Sequence, residues 1–111
     1  LLLAALDERV RWTIAGSCRM SRLYQGKADL VDNCLEPLGR RLRGKVRAKV
    51  DEILDAGATV VVRWKGESET TWGERYDNDY CWVLTWAGGR IVRVVAYLDT
   101  LLLERVMDHP E

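Results

Sequence analysis

The sequence contains no phenylalanine and only one histidine. That histidine, His109, lies beside Pro110 near the carboxyl end. A Ser-His-Asp or Cys-His catalytic system and a histidine-rich metal site are therefore not expected, because each needs histidine at the reacting centre. We expect neither a metal ion nor a cofactor.

An excess of charge of one sign is also missing. Lys plus Arg number 17, as do Asp plus Glu, so the formal net charge is zero. Proteins that bind the nucleic-acid backbone usually carry a basic surface, so a nucleic-acid partner is not expected. The basic run at residues 40–45 lies at the end of a predicted helix, where cations complement the helix dipole.

The three cysteines form no Cys-x-x-Cys pair, and one is left over in any disulfide pairing. Reduced thiols in a cytoplasmic protein are the interpretation that this pattern favours. No apolar run reaches the length of about 20 residues that spans a bilayer, so no membrane association is expected. The opening "LLLAAL" is too short and lacks the basic flank of a signal peptide. It is typical of the later part of a helix, and we expect the first helix of the domain to be truncated.

The residues that are present predict one domain over 1–111, since 111 residues with 48% apolar content suit a single core. Apolar spacing predicts a helix end, a strand, a helix bent or stopped near Leu35 by Pro37, and then a meander of strands and a final short helix. These elements are predicted at residues 1–6, 10–16, 27–42, 45–54, 58–70, 71–86, 90–100 and 101–107. Helices segregated from an antiparallel-rich sheet indicate an α+β fold.

Two of the predicted strands are apolar on both faces, as in "VVV" at 60–62 and "IVRVV" at 91–95. Such strands belong to a sheet that is covered on both sides. The chain has too few helices to supply both covers. A second copy of the sheet is the cover we expect, which predicts a homodimer through the sheet.

Three stretches carry a family resemblance. "GGRIVRVVAYLDT" at 88–100 resembles the last strand of the nuclear-transport-factor-two-like, or ketosteroid-isomerase-like, superfamily. "VRWTIAG" at 10–16 with "YQGKADLVD" at 24–32, and "VDEILDAGATVVVRWKG" at 50–66, are similar to its SnoaL-like branch. The resemblance covers about residues 6–106 and implies a curved sheet wrapped around helices as a cone, with a mostly apolar pocket inside.

Known catalytic members of that superfamily place acids where this chain has none. The proton-accepting Asp of ketosteroid isomerases corresponds by resemblance to Thr13, and their oxyanion-holding Asp falls near Tyr80 or Cys81. Epoxide hydrolases of the limonene type have Arg-x-Asp where this chain has "RWK" at 63–65, and their second Asp corresponds to Ala96. Both chemistries are therefore disfavoured.

Alternation along the strands, placed on this fold, predicts which residues line the pocket. The expected ligand-pocket residues are Trp12, Ile14, Arg63, Asn78, Tyr80, Trp82, Val94, Ala96 and Leu98, with Val92 and Lys65 on the same faces. A slip of one residue would put Trp64 in the pocket in place of Arg63, and the more apolar set of Val60, Val62 and Trp64 keeps that alternative open.

The function expected from these residues is binding of a small apolar organic molecule. If the protein is an enzyme, an isomerase, cyclase or hydrolase is expected, with Tyr80, Asp77 and Arg63 as candidate catalytic residues. Asp77 and Asp79 lie two apart on one strand face, as a paired-carboxylate acid/base device would require, but a turn or rim that carries solvated charges is the favoured interpretation. The alternative is a non-catalytic binding or dimerisation module whose pocket is filled by its own side chains.

Overall fold

The computed structural model describes residues 2–111, which form a six-stranded sheet and short helices. The elements are α1 (Leu2–Ala5), β1 (Leu6–Ile14), β2 (Leu23–Gln25), α2 (Lys27–Leu30), a π-helical turn (Val31–Leu35), α3 (Glu36–Gly39), β3 (Arg47–Ala56), β4 (Thr59–Glu67), β5 (Asn78–Ala87), β6 (Arg90–Leu98) and α4 (Thr100–Asp108). None of the helices in this range is long and apolar enough to cross a membrane.

The strands follow the order β2-β1-β6-β5-β4-β3 in one sheet that is not closed. Strands β3 to β6 form an antiparallel meander, and β2 is antiparallel to β1. The exception is β1, which runs parallel to β6 and pairs Trp12 with Val94. The predicted α+β class with a mainly antiparallel sheet is confirmed, and the parallel pair places β1 between β2 and β6.

The last hairpin turns on Gly88 and Gly89, between the paired residues Ala87 and Arg90. Both glycines have positive φ values, 58° and 76°. A two-residue hairpin turn of this kind needs that conformation at both central positions, and glycine adopts it without steric cost. The turn aligns the first pairs, and a bulge between Thr85 and Trp86 then shifts the register by one residue, so the turn and the bulge together decide the face on which each β6 side chain lies.

The helix predicted at 27–42 runs to residue 39 and does not stop near Leu35, so of the two outcomes expected from Pro37, a bend or a stop, the stop is wrong. The backbone stays helical through Leu35 and Glu36, and the chain passes from α2 through the π-helical turn into α3. Proline has no N–H to donate and its ring crowds the carbonyl one turn earlier. The wider π turn directly before Pro37 lets the helix continue past that conflict.

The amino-terminal boundaries also differ from those predicted. Strand β1 begins at Leu6, whereas a helix end was predicted at 1–6 and the strand only from residue 10. The connection after β1 contains β2, a three-residue strand with no alternation long enough to reveal it. Its Tyr24 pairs with Trp12 and donates a hydrogen bond to the carbonyl of Met20 at 2.7 Å, which ties the connection to β1.

One face of the sheet packs on the helices and forms the core. Val10, Val94 and Ile91 are buried on the sheet side, and Leu30 and Leu103 are buried on the helix side. The opposite face of the sheet has no such cover within residues 2–111. Strand β3 is exposed along its whole length because it lies at the edge, beyond the helices.

Candidate functional site

A central cavity of about 190 Å³ lies between the covered face of the sheet and the helices. The sheet contributes side chains from β1, β4, β5 and β6, and the helices contribute from the π-helical turn, α3 and α4. The lining residues are Trp12, Ile14, Met20, Cys34, Leu35, Leu38, Val46, Trp64, Tyr76, Tyr80, Trp82, Ala96, Leu98 and Leu103.

Four aromatic side chains form one wall of the central cavity. Trp64 on β4 and Tyr80 on β5 are cross-strand partners, and their rings stack with centroids 4.1 Å apart. Trp82 meets Trp64 edge to face at 4.9 Å and meets Trp12 in the same way at 5.0 Å. Each ring is held by a neighbour, because aromatic pairs add stabilisation beyond the area they bury. The wall is therefore a fixed surface rather than a set of independent side chains.

Gly66 closes one end of this wall. A Cβ at residue 66 would lie 2.9 Å from Val46 Cγ1, 3.1 Å from Trp64 Cζ3 and 3.2 Å from Tyr80 Cε2. All three of those residues line the central cavity. The missing side chain is what allows them to come together over this end.

Hydrogen bonds define a polar corner where β5 begins. The Asn78 side chain accepts a hydrogen bond from the Asp99 N–H at 2.9 Å and donates to the Asp99 carbonyl at 3.1 Å. Those two bonds orient its amide, so the same NH₂ group donates to the Tyr76 hydroxyl at 3.2 Å. The hydroxyls of Tyr76 and Tyr80 are 3.5 Å apart. That separation is long for a bond between hydroxyls.

The central cavity is uncharged at neutral pH. The side chains in its lining that lose a proton in water are Cys34, Tyr76 and Tyr80. Burial raises the pKa of the Cys34 thiol to about 11, and burial also raises the pKa of both tyrosines above the ordinary value. Low polarity around a group disfavours its charged form. All three therefore stay protonated, and the phenols are hydrogen-bond donors rather than bases.

Comparison with known proteins supplies the family. The SnoaL-like domain family matches residues 1–94. The chain belongs to this family. A comparison with curated protein sequences finds no significant match for this SnoaL-like domain.

Solved structures share the fold of this SnoaL-like domain. An NTF2-like protein from Burkholderia thailandensis E264 is 25% identical with a TM-score of 0.78, and the match covers 97% of this chain and 82% of that one. A protein described as TerC, co-crystallised with polyporic acid, is 22% identical with a TM-score of 0.77 over 96% of this chain and 83% of its own. A proposed SnoaL-like polyketide cyclase from Jannaschia sp. CCS1 is 14% identical with a TM-score of 0.75, and the match covers 97% of this chain and 76% of that one.

Most of the residues expected in the pocket of this SnoaL-like domain lie on one face of the sheet. The structure brings six of them together in the lining of the central cavity, namely Trp12, Ile14, Tyr80, Trp82, Ala96 and Leu98. Asn78 and Val94 are buried on the same face without being part of the lining, and Asn78 supports the tyrosines from behind. The alternation along β5 and β6 therefore predicts the inward side chains of the central strands.

The placement of Arg63 and Lys65 in the pocket is wrong. The Arg63 side chain lies on the opposite face of β4, is about half exposed, and donates to Glu52 Oε1 at 2.9 Å. Lys65 lies on the same outer face and pairs with Asp79 at 2.9 Å. Trp64 takes the inward position, which is the alternative register that the apolar set had left open. The guanidinium stays outside because burying an unpaired charge against this wall would be costly.

Asp77 does not reach the central cavity either. Its carboxylate is exposed, accepts a hydrogen bond from Arg75 at 2.8 Å, and caps the Ser68 N–H at 3.2 Å. The Arg75 guanidinium holds the pKa of Asp77 below its ordinary value. This is the solvated strand-end charge that the sequence analysis held open, and Asp79 likewise points outward to Lys65.

Sequence reasoning missed the lining that comes from outside the strands. Cys34, Leu35 and Leu38 line the central cavity from the helices, and their helical spacing is the signal that could have found them. Tyr76 precedes β5, but it lies in the strand predicted at 71–86 and shares the alternation of Asn78, Tyr80 and Trp82, so the period of two could have found it. Within residues 2–111, no group of three or more His, Cys, Asp or Glu side chains is placed to hold a metal ion.

Proposed function

We propose that this SnoaL-like domain binds a small, largely apolar organic molecule in the central cavity. The observation that carries the proposal is the uncharged lining, in which aromatic and aliphatic side chains surround one polar corner. Sites for small organic molecules have this composition, with much apolar surface and a few polar groups that orient the ligand.

The structural relatives support an organic ligand. One of them is a proposed polyketide cyclase, and another was crystallised with polyporic acid. At these low sequence identities the relatives support a shared fold and do not identify the ligand, so the ligand class is argued from the cavity of this chain.

Catalysis by hydrogen-bond donation is the second candidate function. Tyr80 keeps its proton and faces the central cavity, so its hydroxyl is suited to donate to an oxygen that gains negative charge during an isomerisation or cyclisation. Hydrolysis is less well supported, because it needs a base to activate water and the lining contains neither a carboxylate nor an imidazole.

Ligand binding can be tested by calorimetry and thermal unfolding with a panel of apolar ketones, epoxides and hydrocarbons. We expect saturable binding and a higher midpoint of unfolding, since a ligand that binds only the folded state stabilises it. Ala96→Leu should fill the central cavity and abolish both effects, because Ala96 is buried in its lining.

Ala87→Leu is the matched control, since Ala87 is exposed at the end of β5. It should leave binding intact. Wild-type protein that binds no compound of the panel would instead indicate the non-catalytic module with a self-filled pocket.

We also propose that the outer face of the sheet is covered by a second copy of the chain. Val61, Val83 and Val95 lie side by side on neighbouring strands of this face, and each is only partly buried. Tyr97 on the same face is 51% exposed. Apolar patches of this kind mark interaction surfaces, and a two-fold pairing of the sheet covers the patch of both copies at once.

A further inference from the structure

The volume of the central cavity limits what it can hold. It measures about 190 Å³, whereas an engineered apolar cavity of about 150 Å³ in another protein holds one benzene molecule. A molecule of one or two rings fits such a space, and a flat four-ring molecule does not fit within it. This limit is tighter than the family resemblance alone implies, because that family includes enzymes that act on steroids.

Trp64 sets the limit at one end. Its ring is held from one side by the stack with Tyr80 and from another by the edge of Trp82. Gly66 and Val46 close the space behind it. To admit a ligand beyond its ring, Trp64 would have to leave both aromatic partners, so its position limits the space on this side of the central cavity.

The polar corner determines which chemical group the ligand presents. Because Asn78 donates to the Tyr76 oxygen, the hydroxyl hydrogens of Tyr76 and Tyr80 are left with one contact between them, the 3.5 Å contact of the two oxygens. The contact between the two hydroxyl oxygens can accommodate only one of the two hydroxyl hydrogens as a donor. The other hydroxyl hydrogen has no acceptor in the hydrogen-bond pattern described for residues 2–111. A ligand that enters this corner gains a hydrogen bond if it brings an accepting oxygen.

We propose that the central cavity selects neutral molecules of one or two rings that carry a hydrogen-bond-accepting oxygen, with Tyr76 and Tyr80 as the donor pair and Trp64 as the residue that limits size. This inference rests on the proposed binding function and adds the ligand class. Neutral ligands are favoured because the lining offers no cation to an anionic group and no carboxylate to a cationic one.

The donor pair can be tested with two ligands of equal size, 1-tetralone and tetralin, which differ in a single carbonyl oxygen. Calorimetry with the wild-type chain should show 1-tetralone binding about threefold to tenfold more tightly, the range that one net hydrogen bond provides. Tyr80→Phe should reduce this preference, and the double variant Tyr76→Phe with Tyr80→Phe should remove it. Tetralin should bind all of these proteins equally well.

The outcomes separate the two proposals. Equal binding of both compounds by the wild type, or a preference that Tyr80→Phe leaves unchanged, would overturn the donor pair and leave the binding function standing. Absence of binding by either compound would count against the binding function itself. If the double variant does not fold, the reduced preference in Tyr80→Phe remains a sufficient test.

The size limit can be tested with 9-fluorenone, which has three fused rings, and with a four-ring steroid ketone. Wild-type protein should bind 9-fluorenone and the steroid ketone at least tenfold more weakly than it binds 1-tetralone. Trp64→Ala should gain at least tenfold for 9-fluorenone, and Trp64→Leu should gain less because it leaves more of the end wall in place. A steroid ketone that binds the wild type as tightly as 1-tetralone, or an enlarged variant with no gain, would overturn the role of Trp64.

Discussion

Gly66 makes the close approach of three cavity-lining side chains possible. Its backbone is not in the left-handed region, so an alanine there meets no conformational strain and the effect of substitution is a packing effect. A Cβ at 2.9 Å from Val46 and near the rings of Trp64 and Tyr80 forces at least one of them to move. We expect Gly66→Ala to lower the free energy of unfolding by about 1–3 kcal/mol, as overpacking does in other cores.

Gly39→Ala is the matched control for that substitution. Gly39 ends α3, and a Cβ there would meet nothing within 4 Å. Because alanine favours helix more than glycine does, this change should be neutral or stabilising by up to about 1 kcal/mol. Urea unfolding of the three proteins measures both effects, and equal stability of Gly66→Ala and wild type would contradict the packing argument.

The corner between β2 and α2 depends on one carboxylate. Asp29 accepts hydrogen bonds from the Arg22 guanidinium at 2.9 Å, from the Asn33 amide at 2.8 Å and from the Gln25 N–H at 2.9 Å. These donors, Arg22 above all, hold the pKa of Asp29 well below its ordinary value. The ionised carboxylate therefore orients the start of the helix that supplies Cys34 and Leu38 to the central cavity.

This corner should make stability depend on acid pH. Because the pKa of Asp29 is depressed in the folded state, its contribution is fully present above the unfolded value of about 4 and is lost as pH falls through the folded value. Asp29→Asn should destabilise the protein at pH 7, and its difference from wild type should shrink between pH 5 and pH 2.5. Urea unfolding across this range measures the difference.

Asp32→Asn provides the comparison for Asp29, since Asp32 is exposed on the next stretch of the same helix. It should leave the acid dependence of the wild type unchanged. A difference between Asp29→Asn and wild type that stays constant with pH would show that Asp29 acts through something other than its charge.

Strand alternation predicted β4, β5 and β6 because each is long and pairs with its neighbour in sequence. It could not decide between Arg63 and Trp64, since β4 is apolar at Val60, Val61 and Val62 alike and the period of two has no contrast there. The outcome followed from cross-strand pairing of Trp64 with Tyr80, which is visible only once the strands are assembled. Pro37 did not stop the helix, because the π turn before it accommodates the missing N–H and the bulk of the ring.

The predicted site was more accurate in its apolar part than in its polar part. Trp12, Tyr80 and Ala96 were placed by alternation. Of the polar corner, Asn78 and Tyr80 were placed by alternation as well. Tyr76 was not named, and the loop that holds it is fixed by contacts such as the Ser68 hydroxyl with the Tyr76 carbonyl at 2.9 Å. Contacts of that kind join residues that no local pattern relates.

At the scale of the whole molecule, the outer face of the sheet predicts the assembly state. Light scattering at micromolar concentration should give twice the 12.7 kDa mass of the chain. Val83→Asp places a charge at the centre of the proposed interface and should give the single mass with an unchanged circular dichroism spectrum.

Leu101→Asp is the control for that interface, since Leu101 is 62% exposed on α4. Light scattering of Leu101→Asp should still give twice the mass of a single chain. A wild-type mass of 12.7 kDa at micromolar concentration would exclude the proposed dimer.

The parallel pairing of β1 with β6 has a consequence for the order in which the chain folds. The ribosome makes β1 before β6, so Ile14 must wait for Ala96 before it has a partner on that side. The hairpins of β3 to β6 join neighbouring strands and close quickly, whereas β1 closes a loop that contains most of the chain. The cavity wall that Trp12 completes is therefore assembled last. A chain released before β6 emerges has β1 paired with β2 on one side only, and the other edge of β1 is open to association with other chains.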